Sequence, residues 1–156
     1  MIKVFGIGNI LLKDDGIGVK VGERIKKDLY KNNIKEIEVI IGETNYFYCL
    51  ENINDDDFII IIDSTYLGLN PGDITFKRLK DCDELIGEII TEHEISLLRA
   101  VRTEKRNIDG YFIGIEISEI NYSLDLSEVL TEKFDYICSK IYKFINEIKL
   151  KQKAKI

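Results

Sequence analysis

The chain has 156 residues, 45% of them hydrophobic and 32% charged, a balance that fits one globular domain able to bury a core without disulfides or structural metal. No apolar run is long enough to span a bilayer or direct secretion, so a cytoplasmic location is expected. The 28 acidic against 22 basic residues leave a formal charge of -6, which argues against a nucleic-acid surface. Lys149, Lys151, Lys153 and Lys155 give only a basic tail, so a single domain over 1–150 followed by a tail over 151–156 is expected.

Ile2, Val4, Phe5 and Ile7 read as a buried first strand, followed by the glycine-framed stretch Gly6-Ile7-Gly8-Asn9-Ile10-Leu11-Leu12-Lys13-Asp14-Asp15-Gly16-Ile17-Gly18. In open α/β sheets the carboxyl ends of the strands form the ligand crevice where the strand order reverses, and this loop brings Asp14 and Asp15 to its rim. Ile17, Val21, Ile25 and Leu29 then recur every fourth residue, an amphipathic helix that ends near Asn32 and Asn33. A β-branched strand at Ile37 to Ile41 follows, then a helical segment from Tyr46 to Ile53 and a polar turn at Asn54 to Asp57.

Phe58 to Asp63 is continuously apolar until its closing aspartate, the pattern of a central strand covered on both faces. The turn at Leu67 to Gly72, which holds the chain's only proline, leads into a strand over Asp73 to Leu79. Glu92 to Arg102 reads as a helix with the sole histidine, His93, near its start, and Tyr111 to Ile117 as a strand. A long terminal helix from Leu126 takes Ser127 as its N-cap, with Glu128 suited to the helix dipole. Strands and helices alternate throughout, so the expected fold is α/β, a three-layer sandwich with a twisted, mostly parallel sheet flanked by helices.

Cys49, Cys82 and Cys138 lie far apart, with no Cys-x-x-Cys pair for a zinc knuckle or a redox centre. Cys49 and Cys138 read as core filler. Cys82 stands between Asp81 and Asp83 and is expected nearer the surface, where those carboxylates raise a thiol pKa and make a poor nucleophile.

The donors that remain are Asp15, Asp63 and His93, from three separated segments. Two carboxylates and an imidazole suit nickel, zinc, manganese or iron, and three protein ligands leave positions open for water or substrate. Such an ion polarises a carbonyl or lowers the pKa of a water, so amide hydrolysis needs no serine or cysteine nucleophile. Each residue also has a plainer reading: His93 as a helix-start histidine, Asp63 as a turn former, and either Asp14 or Asp15 as the cap of the first helix. A dinucleotide site is disfavoured, because Leu11 stands where the third glycine belongs and two aspartates would repel pyrophosphate.

The stretches GIGNILLKDDGIG at 6–18, IIIIDSTYLGLNPGD at 59–73, TEHEISLL at 91–98 and GIEISEINYSLDLSEVL at 114–130 resemble, in that order, the hydrogenase maturation proteases. The resemblance covers nearly the whole chain and implies a phosphorylase/hydrolase-like α/β fold. It implies an endopeptidase that removes the C-terminal extension of a [NiFe] hydrogenase large-subunit precursor once nickel is in place. Asp15, Asp63 and His93 fall on that family's metal-binding and catalytic positions, with nickel supplied by the substrate or another divalent cation in the resting protein. A monomer is expected. It departs from the family at Gly42-Glu43-Thr44, where an Asp-Gly-Gly-Thr-like turn is usual, and at Gly114-Ile115-Glu116-Ile117, where Gly-Ile-Gln-Pro is common. The turn at 68–72 is most like enzymes serving formate hydrogenlyase or energy-converting hydrogenases. Two other readings stand beside this one: a module that binds a metal-loaded partner without cutting it, and another metal-dependent peptidase of the spore-germination type, whose fold is related.

Overall fold

The computed structural model describes residues 1–89 and 96–155, with residues 87–89 described by their backbone alone. Its strands are β1 (Ile2–Ile7), β2 (Ile37–Glu43), β3 (Phe58–Thr65), β4 (Ile74–Arg78) and β5 (Asp109–Glu116). They form one sheet in the order β2-β1-β3-β5-β4, parallel except for β4, which runs antiparallel to β5 at the edge. Its helices are α1 (Ile17–Lys31), α2 (Tyr46–Glu51), α3 (Asp83–Ile89), α4 (Leu97–Glu104) and α5 (Glu128–Ala154).

The alternation of side chains along each strand divides the core in two. Val4, Phe58, Ile60, Ile62, Ile113 and Ile115 pack with Val21 and Ile25 of α1 and with Ile137 and Ile141 of α5. Phe5, Ile59, Ile61 and Phe112 face the other way, against Leu50 of α2, Leu85 of α3, and Leu97 and Val101 of α4. This is the three-layer sandwich expected from the sequence, and it explains the unbroken apolarity of β3, whose residues Ile59 to Ile62 are all fully buried.

The structure departs from the sequence reading in several places. Leu79, Lys80 and Asp81 form a short 3-10 turn leading into α3, a helix the sequence pattern did not reveal; among its described side chains Leu85 and Ile86 pack on the core. The helix expected over Glu92 to Arg102 begins only at Leu97, because Ser96 is extended and its hydroxyl accepts the Arg99 amide at 3.1 Å. His93, expected near the start of that helix, lies outside the described residues. Cys82 is fully buried, not near the surface, and its thiol donates to the Arg78 carbonyl at 3.1 Å. Ser127 does cap α5, accepting from the Leu130 amide, and α5 continues through Lys149, Lys151 and Lys153.

Two glycines let the loop after β1 close against the sheet. A Cβ on Gly18 would lie 2.3 Å from the Ile7 carbonyl oxygen and 2.4 Å from that of Ile62, so only glycine lets the first turn of α1 sit against the ends of β1 and β3. Gly8 has φ +140, and a Cβ there would meet the Asp15 carbonyl oxygen at 2.1 Å, so the loop folds back on its own start.

Candidate active site

In chain order β1 is followed by a partner on one side, β2, and then by one on the other, β3. The strand order thus reverses between β1 and β3, the place where open α/β sheets leave a crevice at their carboxyl ends. Asp15 follows β1 and Asp63 lies near the end of β3, so both carboxylates belong to this crevice, and both are half-buried.

The structure separates Asp14 from Asp15. The Asp14 side chain is wholly buried, not at the rim. Its Oδ2 accepts the amides of Ser118 (3.0 Å) and Glu119 (2.9 Å), and its Oδ1 accepts the amide of Ser127 at 2.7 Å. Asp14 thus ties the segment after β5 and the N-terminus of α5 to the β1 loop. Neither aspartate caps α1, whose N-cap is Gly16 with no side-chain bond.

Asp15 points the other way. Its Oδ2 accepts the Asn9 amide at 2.9 Å and its Oδ1 accepts the Ser64 hydroxyl at 3.1 Å. Ser64 also donates its backbone amide to Asp63 Oδ1 at 2.7 Å, so one residue touches both carboxylates. A carboxylate offers about four lone-pair sites, and the bonds Asp15 makes among the described residues leave room for another partner on each oxygen. Neither the Ser64 link nor the amide of Asn9 was singled out from the sequence, where the only signal was a hydroxyl residue directly after Asp63.

Two further features shape the crevice. Glu116, at the end of β5, is buried and accepts from the Thr65 hydroxyl (3.0 Å) and the amides of Leu67 (2.9 Å) and Leu69 (3.1 Å), fixing the loop that leaves β3. Glu43, in the turn that departs from the family pattern, has φ +49 and accepts the Gly8 amide at 3.0 Å through its carbonyl, so this turn braces the glycine loop.

Of the three residues expected to form a metal site, the structure brings Asp15 and Asp63 into one crevice, while His93 lies outside the described residues. Among the described residues no group of three His, Cys, Asp or Glu side chains is gathered as a metal site. Burial pushes the thiols of Cys49 and Cys82 up to about 11 and that of Cys138 to about 12. None is suited to act as a nucleophile near neutral pH.

The family model described as hydrogenase maturation protease matches residues 19–144. The chain belongs to the hydrogenase maturation protease family. Asp63 falls inside the matched residues and Asp15 just before them, so the place of Asp15 in the site rests on its geometry. The chain is 28% identical over 141 residues to the protein FrxA of Pyrococcus furiosus, covering 86% of this chain and 97% of FrxA. It is 30% identical over 97 residues to the hydrogenase 2 maturation protease of Escherichia coli, covering 62% of this chain and 58% of that protein. Against the HupD proteins of Thiocapsa roseopersicina and Rhizobium leguminosarum the match spans 34% and 38% of their length.

The fold is that of the family's solved members. The hydrogenase maturating endopeptidase HybD from E. coli superposes with a TM-score of 0.76 at 20% identity, covering 94% of this chain and 92% of that one. The maturation protease HycI from Thermococcus kodakarensis gives 0.66 at 22% identity, covering 94% and 90%.

Proposed function

We propose that this member of the family is an endopeptidase that removes the C-terminal extension from the large-subunit precursor of a [NiFe] hydrogenase, and that it recognises the nickel already loaded in that precursor. The observation that carries this reading is the meeting of Asp15 and Asp63 at Ser64, in the crevice between β1 and β3. Two carboxylates held there by hydrogen bonds, with acceptor capacity left on Asp15, suit a cation that arrives with the substrate. Asp15 and Asp63, with His93 as the third donor, would complete the shell of the precursor's nickel. The fixed ion then holds the C-terminal segment in place, and a polarised water attacks the peptide carbonyl. The family name supports peptide cleavage, and the high thiol pKa values leave hydrolysis to water and not to a cysteine.

The test is incubation of nickel-loaded and nickel-free precursor with the protein, reading the precursor's C-terminus by intact mass. The wild type is expected to shorten only the loaded form. Asp63→Ala and Asp15→Asn are expected to lower the rate by about 100-fold or more, the scale of losing a metal-binding group. Unimpaired tail removal by either variant would refute the role of the carboxylates, and equal cleavage of nickel-free precursor would refute recognition of the metal. A precursor that binds but keeps its full mass would point to the non-cleaving module.

A further inference from the structure

We infer that Ser64 is a positioning residue that locks the two carboxylates into one unit. The inference rests on reading Asp15 and Asp63 as the residues that meet the substrate's metal. Ser64 holds each carboxylate by a different atom: its backbone amide donates to Asp63 Oδ1 at 2.7 Å, and its hydroxyl donates to Asp15 Oδ1 at 3.1 Å. The other oxygen of Asp15 is held by the Asn9 amide at 2.9 Å, so one clamp on Asp15 comes from its own loop and the other from β3. Asn9 alone restrains one oxygen and leaves the carboxylate plane to swing about that contact. The Ser64 hydroxyl fixes the second oxygen and with it the direction of the remaining lone pairs. Because the clamp comes from β3, whose position is set by pairing with β1 and β5 on both sides, it aligns Asp15 to the sheet and to Asp63 together.

Asp15 and Asp63 lie 48 positions apart in sequence, on the glycine loop and on β3 respectively, and Ser64 joins them through its hydroxyl and its backbone amide. Groups that orient a metal-binding side chain typically matter by about 10–100-fold in affinity or activity when removed. A misaimed carboxylate places the nickel, and with it the scissile peptide, away from the attacking water, so the loss should fall on kcat. The Ser64 hydroxyl is already given to Asp15, so KM is expected to move little.

Ser64→Ala isolates the effect, because it removes the hydroxyl that holds Asp15 and keeps the amide that holds Asp63. With nickel-loaded precursor, Ser64→Ala is expected to lower kcat by about 10–100-fold, with KM within a factor of about three and the thermal midpoint within a few degrees of wild type. Ser64→Thr keeps a hydroxyl at the same atom and is expected to restore kcat to within about threefold of wild type, a rescue that bulk packing would not produce. Wild-type kcat in Ser64→Ala, or equal impairment of the Ala and Thr variants, would overturn the inference. Asp15→Asn, run alongside, separates the two levels. If it cleaves normally, the reading of the site fails. If it is inactive while Ser64→Ala is unimpaired, only the positioning role fails.

Discussion

Asp14 and Asp15 are neighbours with the same side chain, and the structure gives them opposite surroundings. Asp14 is fully buried and answers three backbone amides, at Ser118, Glu119 and Ser127. Removing it leaves the buried Ser127 amide and the part-buried amides of Ser118 and Glu119 without their acceptor, and an orphaned buried donor costs about 1–3 kcal/mol. Asp14→Ala is therefore expected to lower stability by about 3 kcal/mol or more, roughly a 10 °C fall in thermal midpoint for a domain of this size. Asp15→Ala, at a half-exposed site with two bonds, should keep its midpoint within a few degrees and lose cleavage. Calorimetry and the precursor assay on the same two preparations check the contrast, and an Asp14→Ala variant that melts like wild type would show the clamp to be unimportant. The sequence carried both aspartates to the rim because a glycine-framed Asp-Asp pair looks the same from either residue. What separates them is contact with residues 104 to 113 positions away, which no local pattern records. Asp63, by contrast, was legible because an acid ending an otherwise apolar strand has no packing reason to be there. Ser64 was not, since a serine beside an aspartate is common in any turn.

At the scale of elements, the sheet was readable from β3 outward, because continuous apolarity identifies a strand covered on both faces and its neighbours follow from the alternation of strands and helices. Helix boundaries were less so: spacing alone extended the helix of Leu97 back to Glu92, and only the hydrogen bond from the Arg99 amide to the Ser96 hydroxyl shows where α4 starts. The end of β5 shows how a departure from the family pattern is accommodated. Glu116 is in register with Thr65 across the β3–β5 pair, and its carboxylate gathers the Thr65 hydroxyl and the amides of Leu67 and Leu69. The strand that supplies Asp63 and the loop that follows it are thereby held by one side chain. Glu116→Ala should cost about 2–3 kcal/mol by leaving the buried Thr65 hydroxyl and the part-buried amides of Leu67 and Leu69 without their acceptor. Glu116→Gln keeps one acceptor oxygen for Thr65 and Leu67 but turns an NH2 group toward Leu69, and should cost about 1 kcal/mol. Both should loosen the loop that carries the exposed Tyr66 and Leu69, giving faster chymotrypsin cleavage in the order Ala, Gln, wild type. Urea denaturation and timed digestion measure the two effects, and equal digestion of all three proteins would show that Glu116 does not hold the loop.

At the scale of the whole molecule, the three thiols report on both halves of the core. Cys49 and Cys82 lie in the layer with α2, α3 and α4, and Cys138 in the layer with α1 and α5. Burial is the main cause of each upward shift, from an ordinary value of 9.0 to about 11 for Cys49 and Cys82 and about 12 for Cys138. Around Cys82 the charges of Lys77 and Arg102 oppose the shift while those of Asp81 and Asp83 add to it; around Cys138 Arg24 opposes it while Asp135 and Asp28 add to it. The sign of the linkage follows from which state keeps its protons. Below about pH 9 the thiols are protonated in both the folded and the unfolded chain, and their contribution is fully present. Above it the unfolded chain releases protons that the folded protein retains, so stability falls as pH rises toward 11 and 12. Each pH unit between the two ionisations is worth about 1.4 kcal/mol per thiol, so the full loss is on the order of 2–4 kcal/mol for each. Urea midpoints should therefore stay level from pH 7 to 9 and decline beyond it, with a shallower decline in a variant carrying Cys49→Ala, Cys82→Ala and Cys138→Ala. An equal decline in both proteins would assign the alkaline loss to other groups. The same burial predicts that iodoacetamide at pH 8 leaves the native thiols and the cleavage rate unchanged, because the core that shields the sulfurs from ionising also shields them from alkylation.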